Sequence, residues 1–96
     1  MPENQSRLNA IRVRFLDRLS GQRSTLERLA GIEGANDEIL DIAHKIAGIA
    51  GSLGFPALSA AASEVEMLLV NERPQTLRGA QQLEQLMHQI DAAREN

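Results

Sequence analysis

Of the side chains able to do chemistry near neutral pH, His44 has the most unusual surroundings. It begins the stretch HKIAGIAGSLG (His44 to Gly54), in which Gly48 and Gly51 follow the imidazole at i+4 and i+7. Residues at those spacings share one helical face, and a glycine inside a helix costs about 1 kcal/mol relative to alanine. Two such costs beside one reactive ring point to a surface cleared of side chains so that another molecule can approach. An exposed neutral imidazole can attack through one ring nitrogen while a hydrogen bond holds the other. A phosphoryl group is the fitting electrophile, with the second reactive group supplied by the partner.

Other chemistries find little support. The chain has no cysteine, which excludes disulfides and thiolate metal sites. No Ser–His–Asp or Cys–His constellation is legible, so an enzyme site is not expected. The second histidine, His88, has no metal-ligand spacing to His44 and is expected to be solvated; no metal site is expected. Glu64 and Glu66 stand at i,i+2, a spacing at which helical residues do not face each other.

The elements that must position His44 read as helices. Leu8, Ile11, Phe15, Leu19, Leu26 and Leu29 repeat at helical spacing from about Ser6 to Ala30, with Gln22 filling the gap. Gly21 is expected to bend this helix or split it in two. GIEGAN (31–36) reads as a loop, and Asn36 as the N-cap of a second helix over Asp37–Leu53. Gly54 suits a helix C′ position and Pro56 the first turn of a third helix, over Pro56–Val70. NERP (71–74) turns the chain into a last helix over Gln75–Ala93, with Leu77, Ala80, Leu83, Leu86, Met87 and Ile90 on its stripe.

On the second helix, Ile39, Ile42, Ile46, Ile49, Ala50 and Leu53 gather on the side opposite His44. The imidazole therefore faces outward, with Gly48 and Gly51 on its face. Leu40 and Ala47 flank it on one side, and Asp41 and Lys45 on the other. Leu40 puts apolar surface where a solvated face should be polar, a docking signal. The expected fold is all-α: an antiparallel up-and-down four-helix bundle forming a single domain over 1–96.

The ten Lys and Arg are scattered, the formal net charge is −3, and Phe15 and Phe55 are the only aromatic residues. That argues against nucleic acid as a partner. No apolar run approaches the length of a membrane span, and the N-terminus lacks a signal-peptide layout. The cytoplasm is the expected compartment, and a monomer the expected state.

The stretch HKIAGIAGSLGFPALSAAASEVE resembles the signature of histidine-containing phosphotransfer (HPt) domains of bacterial two-component phosphorelays. His44, Ile46, Gly48, Gly54 and Leu58 fall on matching positions, and the likeness extends over nearly the whole chain. It implies a four-helix bundle without kinase activity of its own. His44 would accept a phosphoryl group from a receiver-domain aspartate and hand it to another receiver. The partners implied are the receiver domains of a hybrid sensor kinase and of a response regulator. No cofactor belongs to the chain itself, because Mg²⁺ comes with the receiver. Glu66 matches the place of a polar residue that orients the proximal ring nitrogen. The family usually has a lysine three residues after the histidine, where this chain has Ala47; the length of Lys45 offers a partial substitute. The docking surface is then Leu40, Asp41, Ala47, Gly48 and Gly51. Two rivals remain: a module that binds and sequesters a receiver without taking phosphate, and a purely structural bundle.

Overall fold

The computed structural model describes residues 2–95. Four helices follow one another: α1 (Pro2–Leu29), α2 (Asn36–Leu53), α3 (Pro56–Asn71) and α4 (Gln81–Glu95). α1 packs on α2 and α4, and α3 packs on the same two, so each helix touches two neighbours around one core. That core is aliphatic, built on fully buried Leu19, Leu26, Ile39, Ile46, Leu58, Val65, Leu83, Leu86 and Ile90. Each comes from the apolar stripe of its helix, the arrangement an up-and-down bundle requires.

Four sequence expectations change. α1 is continuous through Gly21, which is exposed and has nothing near its Cβ position. The missing side chain therefore breaks no contact, and neighbouring helical hydrogen bonds carry the helix across it. α1 also outruns the bundle. Its 28 residues span about 42 Å against about 27 Å for the 18 of α2. Leu8 and Ile11, expected in the core, are 41% and 46% exposed because no other helix reaches them.

The third change is at Asn36. It is the first residue of α2 rather than its cap; Ala35 holds the cap position and makes no side-chain hydrogen bond. The Asn36 amide instead donates to the carbonyl of Pro74, tying α2 to the far connector. The fourth is the start of α4, at Gln81 instead of Gln75. Gly79, inside the expected helix, has left-handed backbone (φ 73°), which interrupts helical winding just before Gln81. Leu77 is nonetheless buried, and its N–H donates to the carbonyl of Ala30. Its apolar character was legible, but it plugs the core from a loop.

Candidate functional site

α2 is held at a fixed rotation by Ala43, Ile46 and Ala50, all buried. With those side chains inward, His44 must point out, and its side chain is 76% exposed. α2 then ends sharply. Gly54 adopts φ 87°, ψ 32°, and the N–H of Phe55 closes back on the carbonyl of Ala50. Left-handed backbone of this kind costs other L-residues roughly 1–2 kcal/mol. Pro56 starts α3 at once, its fixed φ suiting a first helical position. Two further contacts close this end: Arg12 Nε donates to the Leu53 carbonyl, and the Phe15 and Phe55 rings lie 5.8 Å apart.

So short a turn sets the register of α2 against α3. Residues equally far from Phe55 face each other. Gly51 faces Ser59, four residues either side. His44 faces Glu66, eleven residues either side, and the imidazole Nδ1 lies 3.0 Å from Glu66 Oε2. A carboxylate only accepts, so the proton between them sits on Nδ1. The lone pair is left on Nε2. The Glu66 side chain is 25% exposed, less than the ring it holds, which favours a settled orientation. The ring is thus held at one nitrogen and available at the other, the arrangement a nucleophilic imidazole needs.

The two glycines differ. A Cβ at Gly48 would meet open space, so nothing inside the protein requires glycine there. A Cβ at Gly51 would stand 3.4 Å from Ser59 Oγ, on the seam between α2 and α3. Gly51, although exposed, therefore borders the helix seam, where a Cβ would make ordinary van der Waals contact. Ser59 completes that seam by donating to the Ala47 carbonyl at 2.8 Å.

Lys45 and Asp41 pair with each other at 2.9 Å, with both side chains 62% exposed. An exposed pair of this kind contributes about 0.3–0.5 kcal/mol. Lys45 lies on the α1 side of α2, sharing a groove with Phe15 and Arg18, whereas Glu66 holds the ring from the α3 side. Leu40 and Ala47 are half-buried against the core. Glu64 lines grooves between α3 and α4, away from the imidazole. His88 is exposed on α4, a helix that does not pack on α2. Among the described residues no three His, Asp or Glu side chains come together as a metal site.

A family model, the Hpt domain, matches residues 10–95. The chain belongs to the Hpt domain family. Hpt domains take part in histidine phosphotransfer within phosphorelays, where they interact with receiver domains and act as phosphocarriers rather than enzymes. The chain matches no curated protein and no solved structure. No described helix of this Hpt domain is long and apolar enough to cross a membrane. Sequence reasoning missed Ser59 and Arg12, whose roles depend on helix contacts. Counting outward from Phe55 was a signal that could have paired Ser59 with Gly51.

Proposed function

We propose that His44 is the phosphoacceptor, taking a phosphoryl group from the aspartyl phosphate of one receiver domain and passing it to the aspartate of another. The observation that carries this reading is the 3.0 Å contact between Nδ1 and Glu66 on an imidazole whose side chain is 76% exposed. The Nε2 lone pair attacks phosphorus, an N–P bond forms, and the acyl-phosphate P–O bond breaks. The receiver's carboxylate leaves with the bonding electrons. Nδ1 keeps its proton throughout, and Glu66 faces the positive charge that develops on the ring. Onward transfer reverses these steps on a second aspartate. Gly48 leaves room for the incoming receiver. In this reading Mg²⁺ comes with the receiver, and the protein acts as a cytoplasmic monomer without kinase activity.

The second reading, sequestration of a receiver without phosphate uptake, draws on one observation. Lys45, the cation next in sequence to His44, is engaged by Asp41, and position 47 is alanine. One experiment separates the two: incubation with a phosphorylated receiver domain, followed by a search for acid-labile phosphate on wild type and on His44→Gln. The carrier reading expects label on wild type and none on the variant, with the same melting temperature because the side chain is exposed. Receiver binding by both proteins with label on neither would establish sequestration. A melting temperature lowered by many degrees would make His44 a packing residue.

A further inference from the structure

At the end of the α2–α3 pair away from Phe55, the two helices enclose a cleft of about 430 Å³. Its apolar lining is Leu40, Leu69, Val70 and Pro74; half-buried Asn36 and the exposed side chains of Asp37 and Arg73 complete it. Val70 is 56% exposed and Leu40 is half-buried, so both helices present apolar surface to solvent at one cleft. The register explains the position. Leu40 precedes His44 by one turn, and Val70 follows Glu66 by one turn. The cleft therefore lies about 6 Å along the helices from the imidazole.

Charge indicates what covers it. α2 and α3 together carry five carboxylates (Asp37, Glu38, Asp41, Glu64, Glu66) against Lys45, with Arg73 of the following connector a second cation on the cleft's rim, whereas α1 carries six arginines against three carboxylates. The helices that hold the imidazole are the acidic side of the molecule, and a phosphoryl group on His44 would make them more so. Complementarity favours a partner with a basic face, most strongly in the first encounter.

We propose that this cleft selects among receiver domains by taking up one apolar side chain from the docking face, within a rim of basic residues on the receiver. The proposal rests on the phosphocarrier reading and adds to it the specificity-determining residues Asp37, Leu40 and Val70. Burial of a single aliphatic or aromatic side chain in such a cleft favours binding by roughly ten- to a hundredfold. That is enough to separate a cognate receiver from one with a polar residue at the same place.

The test uses the full chain and receiver domains from the same genome, each charged with acetyl phosphate. The rate kcat/KM of transfer to His44 is measured for wild type, Val70→Gln and Asp37→Lys. Both positions are exposed, so folding is retained, and thermal melts check this. Val70→Gln should lose about tenfold at low and high salt alike, the equivalent of 1.4 kcal/mol. Asp37→Lys should lose about tenfold at 50 mM salt and recover at 500 mM, as expected for rim charges. Phosphoramidate, which needs no docking face, should label both variants at the wild-type rate.

Transfer within twofold of wild type for both variants, from every receiver that charges wild type, would overturn the proposal. So would an equal loss with phosphoramidate, which would place the effect at the imidazole. If no receiver charges wild type, the carrier reading fails separately. Titration calorimetry of uncharged receivers against the same three proteins then decides the cleft: weaker binding by both variants supports it, and unchanged binding overturns it.

Discussion

The two ends of the α2–α3 pair are built in opposite ways. At the Phe55 end the connection is Gly54–Phe55, closed by a left-handed glycine, a capping arginine and two rings in tilted contact. At the other end, residues 72–80 wander from α3 to α4, held by the Asn36–Pro74 bond and by Leu77 pressed into the core. The tight end fixes a register that runs to the imidazole. The open end leaves a cleft beside it. A short turn thus sets the geometry around the imidazole, and a long connector leaves apolar surface open beside it.

Four substitutions test whether the two ends do different work. Leu77→Ala should have the largest effect on stability, about 2–5 kcal/mol, because it empties a buried site that its loop backbone cannot readily collapse to fill. Urea unfolding measures it. The His44–Glu66 contact should persist below the transition, seen as an unchanged His44 ring shift by NMR.

Gly54→Ala should cost less, about 1–2 kcal/mol for a left-handed alanine, but should disturb the imidazole more. Any relaxation of the turn changes which residues face each other eleven positions away. A moved His44 ring signal at smaller destabilisation is the expected result. An unmoved one would show that core packing alone holds the register.

Asn36→Ala removes one hydrogen bond at the open end and should cost about 0.5–1.5 kcal/mol in the same unfolding assay. The His44 ring signal should stay in place. Gly48→Ala should have the smallest effect and the opposite sign, raising stability by up to about 1 kcal/mol. Its new Cβ meets open space, so a loss of stability would show that the glycine has a packing role.

Much of the fold was legible because helices announce themselves by period. The buried faces of α2 and α3 and the Gly54–Pro56 turn follow from apolar spacing and from the special backbone of two residues. The outward aim of His44 follows from the same wheel, since Ile39, Ile46 and Leu53 must point in. Leu8 and Ile11 continue the α1 stripe faithfully, yet they project past the end of the bundle. Periodicity specifies a face and not whether another helix is there to cover it. Leu77 fits the α4 stripe equally well but reaches the core from a loop, because left-handed Gly79 interrupts the helix its spacing implied.

The sequence by itself determined four amphipathic helices, an outward histidine with glycine on its face, and the family resemblance. Those properties are local: they depend on side chains a few residues apart and on backbone preferences of single residues. Only the tertiary structure decided that Glu66 holds Nδ1, that Gly51 belongs partly to the seam with Ser59, and that Leu40 meets Val70 across a cleft. Each joins residues on different helices, and the outcome depends on the length of the turn and the packing of small side chains between them. A sequence period sets the rotation of one helix. The sliding of one helix against another is set by the contacts they make together.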